Sequence, residues 1–317
     1  MIIKTLFLFR IYYISNKFEK YMINQVDLRA YKSVKYVGDI HGLFKTLVFD
    51  AKDRRKYKDC LIIVCGDIGF GFVSFKKEKE NLIYLERDLA KNNICLALFR
   101  GNHDEPAVFK VDNPWRLSIE EICPHIKIIP DYSILNTADG NILVVGGARS
   151  IDKANRIPDY SWWADEMVQP VPENFYQELN DNNIKINVVC THTSPIFCKP
   201  FNPSKDDQGY FVEQWSKYDD TLKEDNWVER CALKIMYQDL VNNGHPITHW
   251  IYGHFHNHFE LEYEGRKFIG LDMCYQNKRR VDVEDPSTYE VIETYYKVLD
   301  DWYWLSEKGK IGNRSEK

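Results

Sequence analysis

At 317 residues and 44% hydrophobic content, the chain is long enough to form one large domain with a substantial core. A net charge of −5 gives no general basic footprint for nucleic acid, although it leaves room for a local basic groove. Eight cysteines are scattered singly, mostly inside apolar runs and without CxxC pairs, so reduced thiols and a cytoplasmic location are expected rather than a disulfide framework.

The N-terminal stretch MIIKTLFLFRIYYIS has a lysine and then apolar residues, loosely like a signal peptide. Arg10 interrupts it, no small-residue cleavage site follows, and it is too short to span a membrane. Met22 stands just ahead of the first patterned residues, so residues 1–33 are expected to be an extension, poorly ordered or not native.

Beyond it, five short apolar runs each end in a polar turn. VKYV leads into GDIHG at 38–42, CLIIVC into GDI at 66–68, ICLALF into GNHD at 101–104, INVVC into THTS at 191–194, and ITHWIY into GHFH at 253–256. The runs are rich in Val, Ile, Leu, Phe and Cys and read as buried strands. Their polar residues therefore sit at strand carboxyl ends, where loops of layered α/β folds converge into ligand sites. Asp39, His41, Asp67, Asn102, His192, His254 and His256 should face a common point.

These seven side chains offer carboxylate, imidazole and amide donors, a set suited to Mn, Fe, Zn, Co or Ni, with manganese placed first. Seven groups exceed what one ion needs, whereas two ions sharing one carboxylate would each have four. Taken singly, each motif has a plainer reading. A Gly-Asp pair is an ordinary turn, GNHD can cap a helix, and GHFH can be an alternating strand. Five such motifs in sequence, each after a strand-like run, favour the metal reading.

The order GDxHG, GD, GNHD, H, GHxH resembles the calcineurin-like metallophosphoesterase superfamily, in the manner of its small bacterial and phage-type members, over residues 34–272. The resemblance implies a four-layer αββα sandwich of two mixed sheets. It implies that Asp39, His41, Asp67 and His256 hold one ion and that Asp67, Asn102, His192 and His254 hold the other. It further implies that His103, oriented by Asp104, acts as general acid. The implied activity is hydrolysis of a phosphoester by in-line attack of a hydroxide held between the ions, with a proton given to the leaving oxygen. Ser/Thr protein phosphatases share GDxHG, but their second motif continues Asp-Arg-Gly and their third ends in Glu. Here the second reads GDIGFGF, so the Arg that clamps a phosphate monoester in that subgroup has no counterpart after Asp67.

The segment 146–166 follows another strand-like run, NILVV, and resembles an insertion in those small members. Arg149, Lys153 and Arg156 are its candidates for phosphate recognition. Trp162 and Trp163 either stack on a nucleobase or cover a core edge. Residues 222–242 carry apolar groups at helical spacing, ended by Gly244, and a hairpin is expected around Glu264-Gly265. One domain is expected over 34–305, with inserted loops at 149–180 and 199–247, then an alternating stretch YEVIETYYKVL and a disordered tail at 306–317. Cys65 and Cys190 read as small strand residues, and His125, His245, His249 and His258 as packing or surface histidines. The expected partner is a phosphoester, whether small molecule, nucleotide or phosphoprotein, and not a membrane. Alternatives are a nuclease or RNA-processing phosphodiesterase using Trp162, Trp163 and residues 149–156 as a groove, and a non-catalytic scaffold.

Overall fold

Runs that are apolar at every position require a sheet covered on both faces, and the alternation of side chains along each strand shows how both faces are used. The structure, a computed structural model, describes residues 22–199, 209–274, 303–305 and 311–312. Along β3 (Cys60–Cys65), Leu61, Ile63 and Cys65 point into the space between two sheets, whereas Ile62 and Val64 point outward under helices.

One sheet is built on parallel strands β2 (Ser33–Val37), β3, β4 (Ile94–Phe99) and β5 (Ile126–Ile129). The other has seven strands. They are β1 (Gln25–Asp27), β6 (Ser133–Thr137), β7 (Gly140–Val145), β8 (Ile186–Thr191), β9 (His249–Tyr252), β10 (Phe259–Tyr263) and β11 (Arg266–Gly270), in the order β1-β6-β7-β8-β9-β11-β10. Helices α1 (Phe44–Phe49), α2 (Phe75–Asn92) and α3 (Pro114–Ile122) cover the first sheet through Leu47, Leu82, Leu89 and Ile119. Helices α4 (Phe175–Asp181) and α6 (Leu222–Asn242) cover the second through Phe175, Leu179, Leu233, Met236 and Leu240. A shorter helix, α5 (Gly209–Trp215), precedes α6. The result is the expected αββα sandwich of two mixed sheets. All eight thiols are free, with Cys65 and Cys190 between the sheets.

Three expectations need adjustment. Residues 22–33 are not an extension. β1 pairs with β6, and Leu28, 2% exposed, packs between the sheets, so the fold begins ahead of residue 34. The helix at 222–242 is present, but its buried face is rotated from the apolar residues that suggested it. Trp227 and Ile235 are 48% and 54% exposed, whereas Asn226, Glu229 and Arg230 are buried. The reason is that this face looks partly onto the polar site. The stretches 149–180 and 199–247 are more than inserted loops, since they carry α4, α5, α6 and strand β8 lies between them. The alternating pattern at 289–299 and the N-terminal stretch at 1–21 lie outside the described residues. So does most of the tail, of which Ile311–Gly312 forms a strand, β13, beside β12 (Tyr303–Leu305), itself antiparallel to β2. The hairpin of β10 and β11 turns at Glu264 and Gly265, both with positive φ.

Candidate metal centre

The five polar turns follow β2, β3, β4, β8 and β9, so three come from one sheet and two from the other, and they meet where the two sheets abut. Glycines make this meeting possible by close approach. A β-carbon at Gly66 would fall on the His192 ring, one at Gly101 on the Asp67 carboxylate, and one at Gly253 on that of Asp39. In three of the motifs the glycine thus vacates the space taken by a candidate ligand from another.

Asp39, His41, Asp67 and His256 bring one donor atom each to within 4.8 Å of one another. His256 Nε2 lies 2.9 Å from Asp39 Oδ2 and 3.2 Å from His41 Nε2, and His41 Nε2 lies 3.8 Å from Asp67 Oδ2. On the other side of Asp67, His192 Nε2 is 3.3 Å from Asp67 Oδ1, and Asn102 Oδ1 is 3.0 Å from both His192 Nε2 and His254 Nδ1. The two Asp67 oxygens therefore face two different donor groups. His192 Nδ1 must donate to the Cys65 carbonyl at 2.8 Å, which leaves Nε2 as the nitrogen that could coordinate an ion. The seven side chains expected to face a common point lie together, in two groups with Asp67 between them.

The backbone stores strain here. His41, Asp67, His254 and His256 have φ of 40°, 45°, 70° and 48°, a left-handed conformation that costs a non-glycine residue about 1–2 kcal/mol. Hydrogen bonds hold it in place, from His254 N to Asp39 Oδ1 at 3.0 Å, from His41 N to the Asp67 carbonyl at 2.8 Å, and from His103 N to Asp67 Oδ1 at 2.9 Å.

The charges are arranged for a cation. Burial would raise the Asp67 carboxyl, but the His192 and His103 rings outweigh it and hold it well below the usual range. Asp39 is lowered likewise against its burial by His192 and His256. His192 is wholly buried, which alone would lower its pKa, yet Asp67 and Asp39 lift it to about 9. Burial, reinforced by His192, pushes His254 down to about 3, so it is a neutral donor. Two buried carboxylates, an amide oxygen and converging imidazoles, with the His192 proton standing where a cation would bind, fit divalent ions. Because His192 binds a proton below about 9, an ion must displace that proton. We expect Mn²⁺ binding to release protons and to tighten as pH rises from 7 toward 9. Titration calorimetry in two buffers of unequal ionisation enthalpy reads this directly, and equal heats would contradict it.

His103 lines the mouth of the centre, with Nε2 3.9 Å from Asp67 Oδ2. Burial lowers its pKa, and Arg156 and His41 act in the same direction against Asp67. Asp104 does not have the expected role of orienting it. Its Oδ2 accepts from Ile68 N and Gly101 N, and its Oδ1 from Gly69 N and Phe70 N, at 2.7–3.0 Å. With four backbone donors the carboxylate is fully used, and it staples the β3 turn to the β4 turn. The neighbour of His103 is instead Arg156, whose Nη2 donates to Nε2 at 2.7 Å while Asp152 holds the guanidinium at 2.7 Å.

The remaining candidates from 149–166 divide. Arg156 lines a cavity of about 690 Å³ that opens over Asp67, Asn102, His254 and His256. Arg149 does not reach it. It is 1% exposed, beneath the site, with Glu166 at 3.2 Å, Asp219 at 2.5 Å and Asp225 at 2.9 Å, so its charge is already matched by three carboxylates. Lys153 lies 4.8 Å over one face of the Trp162 ring, and the edge of Trp163 packs beside Gly71, so both indoles are half-buried against their own segment and the β3 turn. The far wall of the cavity comes from Phe255 together with Val212, Trp215, Asn226 and Arg230, and the last four belong to no motif. Arg230 donates to the carbonyls of Ser194, Pro195 and Cys198 and so pins the turn that carries His192. Only its position on a helix beside the site distinguishes it in the sequence.

No family model matches the chain, and no curated protein matches it. Among solved structures it is similar to TT1561 of Thermus thermophilus, at 13% identity and TM-score 0.43 over 76% of this chain and 89% of that one. It is also similar to an archaeal phosphodiesterase, at 12% identity and TM-score 0.35 over 88% and 97%. A dimetal phosphatase from Danio rerio matches at 11% identity and TM-score 0.42 over 77% and 88%. Among the described residues, no helix is long and apolar enough to cross a membrane.

Proposed function

We propose that this chain is a metal-dependent phosphoester hydrolase of the calcineurin-like kind, with two divalent ions sharing Asp67. The observation that carries the reading is that the two oxygens of one buried carboxylate face two separate sets of nitrogen and oxygen donors. Asp39, His41, Asp67 and His256 would hold one ion and Asp67, Asn102, His192 and His254 the other, with manganese first among Mn, Fe, Zn, Co and Ni. When bound, such ions lower the pKa of water and neutralise charge gathering on phosphoryl oxygens. The chain's own groups do the rest. Arg156 offers a planar pair of N–H donors to a phosphoryl oxygen at the cavity wall. Once the phosphate draws its guanidinium away, His103 Nε2, the acceptor of that bond, is free to take up a proton from solvent and pass it to the departing oxygen.

A cavity of about 690 Å³ has the size of a small-molecule site, and favours a small phosphorylated compound or nucleotide over a phosphoprotein loop or polynucleotide. Arg149 neutralised in the interior and Lys153 drawn onto the Trp162 ring take two cations out of the groove on which a nuclease or RNA-processing reading depends. A complete ligand set with His103 in place speaks against a non-catalytic scaffold. Eight free thiols accord with the cytoplasm.

The test is hydrolysis of p-nitrophenyl phosphate beside bis-p-nitrophenyl phosphate, after chelation and return of Mn²⁺. We expect turnover that disappears with chelator and returns with metal. Turnover indifferent to metal, or none on either ester, would overturn the reading. A faster diester directs the search for substrate to nucleotidyl and cyclic diesters, and a faster monoester to phosphatase substrates.

A further inference from the structure

Asn102 differs from every other candidate ligand in one respect. A carboxylate presents two like oxygens, and a ring such as His192 is fixed by the bond at its other nitrogen, but a primary amide has two unlike ends of nearly equal size. Only Oδ1 can coordinate a cation, and a half-turn of the amide would put an N–H group there instead.

Behind Asn102 lies a chain of buried hydrogen bonds. Asn102 Nδ2 donates to Ser150 Oγ at 2.9 Å, and Ser150 Oγ donates to Glu166 Oε2 at 2.5 Å. Glu166 Oε1 accepts from Ser150 N at 3.0 Å and from Arg149 Nη1 at 3.2 Å. Asn102, Ser150 and Glu166 are 3%, 0% and 1% exposed, so water does not substitute for any link. The direction of the chain follows from its far end. A carboxylate paired with Arg149 can only accept, so the Ser150 hydroxyl turns its proton toward Glu166. That leaves only oxygen lone pairs for Asn102, which must answer with Nδ2, and Oδ1 is thereby turned to His192 and His254.

We infer that Ser150 and Glu166 are positioning residues that fix the polarity of the Asn102 amide and so determine whether the second ion is held. The inference rests on the dinuclear reading above. It also gives the buried Arg149 a purpose: its Nη1 donates to Glu166 Oε1 and holds that carboxyl in place, and its ties to Asp219 and Asp225 anchor the chain at the start of α6.

The experiment is equilibrium dialysis of the full chain against Mn²⁺ followed by metal analysis, with thermal denaturation to confirm folding. The wild type should hold two ions. Ser150→Ala leaves Nδ2 without an acceptor and should bind the second ion about 10–100-fold more weakly while keeping the first. Ser150→Thr, which retains the hydroxyl, should restore it. In an Asn102→Asp background the added Ser150→Ala should change little, because a carboxylate has no wrong way round. A Ser150→Ala chain that holds both ions as tightly as the wild type would overturn the inference. An equal penalty in both backgrounds would also overturn it, by showing a packing effect alone. A wild type that holds fewer than two ions would overturn the dinuclear reading, and this inference with it.

Discussion

Asp67→Asn should cost both ions together and lower turnover by about 10³-fold or more, the equivalent of about 4 kcal/mol of transition-state stabilisation. The magnitude follows from position. Asp67 is 1% exposed, its Oδ1 lies 3.3 Å from His192 Nε2 and its Oδ2 lies 3.8 Å from His41 Nε2. An amide at that place offers one oxygen in place of two and removes the negative charge that keeps His192 high. In the proposed centre only Asp67 belongs to both groups, so replacement of Asn102 or His256 should empty one position more than the other. Metal analysis of the purified variant beside its turnover checks this. A chain with two ions and near-normal rate would show that Asp67 does not join the two groups.

His103→Ala should do the opposite, keeping both ions and losing turnover. The ring is not needed by either donor group: its backbone N–H supports Asp67, which alanine preserves, and its Nε2 faces Arg156. Loss of a general acid costs about 10²–10⁴-fold, and the cost depends on the leaving group. Esters of an alkyl alcohol, whose oxygen must be protonated as it leaves, should show the full loss. Esters of p-nitrophenol, which departs readily as the anion, should show a much smaller one. Full activity of His103→Ala on the alkyl ester would remove the general-acid role. A loss of equal size on both esters would assign His103 to holding the substrate or the Asp67 turn.

What could be read from the sequence was whatever is local. Each of the five strands is a mostly apolar run, because both faces of each sheet are covered, and each leads into a turn with a candidate ligand whose residue type states its chemistry. The adjoining glycines mark where two such turns interpenetrate.

What escaped depends on partners far along the chain. Arg149 has the form of a phosphate ligand until Glu166, Asp219 and Asp225 are placed around it. Asp104 adjoins His103, yet its carboxylate faces the β3 turn from Ile68 to Phe70 and the Gly101 N–H beside it. The three residues of β1 are too few and too polar to announce a strand, and are held by pairing with β6. On α6, Asn226, Glu229 and Arg230 are buried because the helix borders a polar site, which adds polar residues to an inner face that Leu233, Met236 and Leu240 keep apolar further along. Ser150 and Glu166 carry no motif, and their part emerges only from the bonds that link them to Asn102.

The most direct test of a centre joined by Asp67 is anomalous diffraction at the manganese edge from crystals grown with Mn²⁺. Two peaks, one between Asp67 and the His41 and His256 rings and the other between Asp67 and the His192 and His254 rings, are the expected result. A single peak, or peaks that leave Asp67 without a neighbouring ion, would contradict the account.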